Sequence, residues 1–228
     1  EPQLPIQEDE TALVIHALWK HFEKNHDFEF MQEMFEKFVK RAAKFLVEFR
    51  EEDSGLPLAS YDPWEEHRGV FTYTTACTIA GLNAAAQIAN ILGHYTHSER
   101  YQSAADTMRQ AMLFHLYDEE NKCFFKSITR KNKETISRDT TPDASMVVVW
   151  KLGVLDITDP RVISSMKRLH EMLTVKSPVG GIARYTNDVY HSVVQPTKDI
   201  PGNPWIITTL WSAQWDIAIA KNVKGLEA

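Results

Sequence analysis

Apolar side chains recur at three- and four-residue spacing along most of the chain, as expected of helices that bury one face. Residues 9–24 set Leu13, Ala17 and Trp19 beside Val14, Leu18 and Phe22, with Asp9 as the expected N-cap. Residues 27–50 repeat the stripe through Phe30, Met34, Phe38, Ala42, Phe45 and Phe49, and Asp27 stands ahead as a cap. A third helix is predicted over 71–92, where ACTIAGLNAAAQIA is rich in small side chains. Small side chains let helix backbones approach closely, so this helix is expected in the interior. Further helices are predicted over 98–116, capped by Ser98; 143–151, starting at Asp143; 160–174, with Pro160 in its first turn; and 204–221, with Pro204 in its first turn. Residues 122–137, containing CFFKSIT, have room for a small hairpin.

The connections alternate in length. Those joining the first helix to the second, the third to the fourth and the fifth to the sixth are short, as in antiparallel helix pairs. The others are long, covering roughly 51–70, 117–142 and 175–203. In an up-and-down array successive connections alternate between the two ends, so the three long loops are expected at one end. Long loops gathered on a rigid scaffold are where binding and chemistry concentrate.

Composition narrows the picture. The chain has 228 residues, 43% hydrophobic and 25% charged, with a formal net charge of -6. That is enough apolar material for a sizeable core in one domain over 1–228. The acidic balance argues against nucleic acid as a partner, because phosphate binding needs concentrated Lys and Arg. No apolar run approaches the roughly 18 residues of a membrane span. Cys77 and Cys123 are too few for a disulfide framework and lack CxxC spacing. The nine histidines form no HExxH set, so no metal is expected. Free thiols and acidic character lean toward a cytoplasmic location.

Two stretches carry candidate chemistry. SYDPWEEHRG, residues 60–69, crowds Asp62, Glu65 and Glu66 around Pro63 and Trp64 outside any helical stripe. A tryptophan beside one carboxyl excludes water, and desolvation raises a carboxylic pKa. A glutamate kept protonated near neutral pH acts as a general acid, while its ionised neighbour accepts hydrogen bonds from hydroxyls. The plainer alternative is a charged turn with a tryptophan folded over it. The last long loop carries GGIARYTND and DIPGNPWI. There Arg184 offers a planar fork of donors to vicinal hydroxyls or to a loop carboxylate, and Trp205 offers an aromatic face. Alternatively, Asn203 caps the last helix and Trp205 fills the interior.

Together YDPWEEHRGVFTYTTA, GGIARYTNDVY and PGNPWIITTLWSA resemble glycoside hydrolase family 15, which holds glucoamylases, glucodextranases and some trehalases. PIQEDETALVIHALW is similar to the family's Gln-Asp-Glu helix start, and the likeness runs through nearly the whole chain in order. It implies an all-α fold of the (α/α)6-toroid type, built of antiparallel helix pairs, with its site at the long-loop end. About seven main helices are visible, so the toroid is expected to be incomplete. The resemblance assigns Glu65 as general acid and Asp62, Trp64, Glu66, Arg184 and Trp205 as substrate-binding residues, with no cofactor and no metal.

The upstream Trp-x-Arg-Asp segment and the downstream glutamate that serves as general base have no match here, and the chain ends at KGLEA, residues 224–228. The implied function is exo-acting, inverting hydrolysis of α-glucosidic bonds in starch-like oligosaccharides, dextran or trehalose. The chain is expected to be part of a catalytic domain truncated at both ends, inactive by itself and prone to self-association through uncovered helix faces. The alternative is a non-catalytic helical-toroid module that binds carbohydrate or protein.

Overall fold

The computed structural model describes residues 6–192 and 194–220, so the expected KGLEA end lies outside the described residues. The span expected to be one domain contains two compact units. One comprises Glu1–Leu116 with Ser127–Arg138, the other Tyr117–Lys126 with Asp139–Ala228.

The first unit is built around one helix. α1 (Glu8–Asn25) ends at His26, whose left-handed backbone (φ 51°) closes the helix. α2 (Phe28–Met34) begins at Asp27, which caps it by accepting from the Phe30 N–H at 2.9 Å. A π-helical stretch, Phe35–Val39, joins it to α3 (Lys40–Glu48). The single helix expected over 27–50 is therefore interrupted. The wider turn admits one extra residue and lets both Phe35 and Val39 be buried. Short strands β1 (Ser60–Tyr61) and β2 (Arg68–Phe71) precede α4 (Thr72–Ile91). α4 carries no charged residue and is buried on nearly every side, as its run of small residues predicts. α1 and α5 (Tyr95–His115) pack along it, α5 folding back through a three-residue link, Leu92, Gly93 and His94. A side chain at Gly81 would come within 2.8 Å of the Ala12 backbone, so glycine is what lets α1 approach.

Two cap predictions are corrected. His94, not Ser98, precedes α5; the Ser98 hydroxyl instead donates to the Ala86 carbonyl of α4 at 2.9 Å. Gln7 precedes α1, and Asp9 lies buried inside its first turn.

In the second unit, β3 (Tyr117–Asp118) pairs with β4 (Cys123–Phe124). The hairpin foreseen over 122–137 is realised in the first unit, by β5 (Ser127–Lys131) and β6 (Glu134–Asp139). Positive φ at Asn132 and Lys133 makes the tight turn that matches strand twist. β5 also pairs with β2, giving the strand order β1-β2-β5-β6.

Asp143 caps a 3-10 turn (Ala144–Val147) leading into α6 (Val148–Lys151), so the predicted fifth helix is mostly a single tight turn. α7 (Pro160–Leu173) starts as predicted, with Pro160 in its first turn and Asp159 accepting from the Arg161 N–H. β7 (Ile182–Ala183) pairs with β8 (Pro204–Trp205), and α8 runs over Ile206–Ile219. Pro204 and Trp205 thus belong to a strand pair rather than to the first helical turn. Proline tolerates that place because an edge strand needs no donor from it.

Candidate active site

In the first unit, SYDPWEEHRG forms a β-hairpin. β1 and β2 pair Ser60 with Gly69 and Tyr61 with Arg68, leaving Asp62 to His67 as the connecting loop. Asp62 organises that loop. Its carboxylate oxygen Oδ1 accepts from the backbone N–H of Glu66 at 2.8 Å and of His67 at 3.1 Å. Its backbone N–H donates to the His67 carbonyl, and its carbonyl accepts from the Glu65 N–H, each at 3.0 Å. The side chain is 0% exposed. Asp62 therefore fixes the turn that carries Glu65 and Glu66.

Glu65 sits at the tip with φ 58°, the left-handed region where a side chain is strained. Within this chain it is exposed, whereas Trp64 and Glu66 are half-buried. A residue held in a costly backbone conformation by its neighbours points to function.

The second unit holds Arg184 and Trp205. Arg184 is 3% exposed and makes a two-pronged pair with Asp188, Nε to Oδ2 at 2.7 Å and Nη2 to Oδ1 at 2.8 Å. Its guanidinium lies over the rings of Tyr190, Trp205 and Tyr185, at 4.8, 5.0 and 5.1 Å from the ring centres. Of the two partners open to it in the sequence, hydroxyls or a loop carboxylate, the loop carboxylate is present.

Two glycines make the cage possible. A side chain at Gly202 would meet the Asp188 Cβ at 2.8 Å, and one at Gly181 (φ 98°) would meet Pro204 and Thr209 at 2.9 Å. The Asn203 amide donates to the Tyr190 carbonyl at 3.0 Å and does not cap α8. Trp205 does not fill the interior. With Tyr190, His191, Asn203, Ile206 and Leu210 it lines an open depression of about 850 Å³.

Sequence reasoning missed Asp188, Tyr190 and Tyr185 as the cage around Arg184. The signal was available, since RYTNDVY places an acid four residues and a tyrosine six residues after the arginine. It also missed Lys126, which is buried against Asp143 at 3.1 Å and stands over the Tyr185 ring at 4.1 Å.

The model of one sequence family, glycosyl hydrolases family 15, matches residues 5–225. The chain belongs to that family. It is 28% identical to an uncharacterised glycosyl hydrolase of Methanocaldococcus jannaschii, over 90% of this chain and 30% of that protein. It is 25% identical to a glucoamylase of Clostridium sp., over 83% of this chain and 29% of that protein. A crystal structure of a bacterial glucoamylase complexed with acarbose superposes with a TM-score of 0.75 at 22% identity, covering 97% of this chain and 34% of that one. The chain thus spans about a third of the length of these relatives. Its fold is that of the family 15 helical toroid, predominantly α, with the short strands serving to hold loops.

Proposed function

We propose that this family 15 chain carries the general-acid half of an exo-acting, inverting α-glucosidase site. The observation that supports it most is Glu65 itself, a strained, exposed carboxyl at the tip of a hairpin that Asp62 holds in shape. In this reading Glu65 protonates the glycosidic oxygen, and Glu66 and the loop backbone accept from sugar hydroxyls. Trp64 offers an aromatic face to a sugar ring, and Trp205 does the same in the second unit. Arg184, neutralised by Asp188, would serve the sugar-binding role without burying a net charge. The substrates are α-glucosides such as maltose, starch-like oligosaccharides, dextran or trehalose, in keeping with the glucoamylase names of its relatives.

An inverting reaction needs a second carboxylate about 6.5–9.5 Å from the acid, leaving room for the attacking water. This reading gives that role to no residue of the chain and expects the chain alone to release little glucose. Incubation with maltose, trehalose or soluble starch tests this directly. Glucose release at the buffer background is expected. Vigorous release abolished by Glu65→Gln would place the base inside the chain.

A second reading, a non-catalytic sugar-binding module, draws on the open aromatic depression beside Trp205, which suits a sugar face without any acid. The two part company when Glu65→Gln is placed in a protein that is active. An enzyme loses its rate and keeps its ligand, whereas a module has no rate to lose.

A further inference from the structure

Beneath the Glu65 hairpin lies a second pair of carboxyls that this mechanism does not use. Glu8 and Asp9 form the first turn of α1 and are 1% and 4% exposed. The Glu8 carboxyl faces the Ser60 hydroxyl of β1, and the Asp9 carboxyl faces the Thr74 hydroxyl in the first turn of α4. Neither contact closes a hydrogen bond of ordinary geometry. Both Glu8 oxygens, Asp9 Oδ1 and the Ser60 and Thr74 hydroxyls are buried without a partner among the described residues. The same turn is tied to the hairpin by backbone, since the Tyr61 N–H donates to the Ile6 carbonyl at 3.3 Å and the Gln7 amide donates to the Asp62 carbonyl at 3.5 Å.

Titratable groups face this pair from each neighbouring element: Glu10 on α1, Asp62 at the end of β1, and the Tyr73 hydroxyl and Cys77 thiol on α4. Among the described residues that act on the pair, all are acids or neutral groups. Among the described residues no group of three or more His, Cys, Asp or Glu is placed to hold a metal ion. Burial is the leading cause that pushes Glu8 up to about 7 and Asp9 to about 6.

We propose that Glu8 and Asp9 are positioning residues for the Glu65 turn, leaving β1 and Asp62 packed in place while protonated and loosening them when they ionise. The idea builds on the general-acid reading of Glu65 but has its own readout. A buried negative charge on Asp9, with a second on Glu8 beside it, repels Asp62, which organises the loop, and that loop sets where the acid points.

Hydrogen exchange of the Glu65, Glu66 and His67 amides in the full chain, corrected for intrinsic rates and followed from pH 5 to 8.5, tests it without substrate. Protection of these amides is expected to fall at least tenfold with a midpoint between pH 6 and 7, while amides in the middle of α5 stay level. In Glu8→Gln/Asp9→Asn the fall is expected to vanish. Flat protection in the unmodified chain overturns the proposal, whether or not the double variant folds. So does an unchanged midpoint in that variant or, should it not fold, in Glu8→Gln alone. Because no sugar is present, a pH-dependent turn together with an inert Glu65 would refute the glycosidase reading and leave the positioning role standing.

Discussion

Two buried carboxyls in the first turn of α1 make the stability of this protein depend on pH in an unusual direction. Glu8 rises from 4.5 to about 7 and Asp9 from 3.8 to about 6, with burial the leading cause. Folding therefore carries no penalty from them below about pH 4, where both are protonated in either state. The penalty grows as pH climbs from the ordinary carboxyl range of 3.8–4.5 to about 6 for Asp9 and about 7 for Glu8, then levels off, at on the order of 3 kcal/mol for Glu8 alone. Glu8→Gln keeps the shape and removes the titration. Its melting temperature is expected to exceed that of the unmodified protein at pH 8 and to converge with it near pH 4.5. An equal difference at both pH values would mean that the carboxyl does not titrate in this range. Glu65 offers a second test at this scale. Its left-handed backbone costs about 1 kcal/mol that glycine escapes, so Glu65→Gly is expected to leave urea stability unchanged or raise it by up to about that amount. A loss of 2 kcal/mol or more would show that the side chain makes contacts this account has missed.

Among the elements, α4 is the member on which the first unit depends. Gly81 lets α1 pack at backbone distance, and an added methyl would lie 2.8 Å from Ala12. Gly81→Ala must push α1 away from α4, and its cost is expected to reach about 1–3 kcal/mol despite alanine's better helix propensity. Chemical denaturation monitored by circular dichroism measures it, and a stabilised variant would contradict the packing described. α4, α5 and α7 were legible because long apolar periods and runs of small residues survive tertiary context. What escaped is equally physical. Two-residue strands such as β7 and β8 contain no period to read. The π-helical turn at Phe35 shifts the phase of a stripe without breaking it. Asp9 looked like a cap because an acid ahead of an apolar stripe is the cap signature, and only the packing of α1 against β1 and α4 buries it. The hairpin of Glu65 was legible as a special loop through its composition and family likeness. Its geometry depends on the Asp62 side chain accepting from two backbone N–H groups, which spacing alone does not encode.

Over the whole molecule, family and helical fold are settled, and the remaining proposals concern what the pieces do together. α8 leaves Ile206 82%, Leu210 56% and Ile217 64% exposed, an apolar face of the kind that drives association. Sedimentation or light scattering of the isolated chain is expected to show dimers or larger species whose population rises with concentration, and Ile206→Glu/Leu210→Glu is expected to reduce them. A strictly monomeric chain at high concentration would remove self-association from the account. The central claim is that the hairpin of the first unit presents Glu65 as a carboxyl that acts on an α-glucoside. Titration with acarbose, following the indole N–H signal of Trp64 by nuclear magnetic resonance, tests it most directly. A saturable shift of that signal is the predicted result. No movement at any acarbose concentration would contradict it.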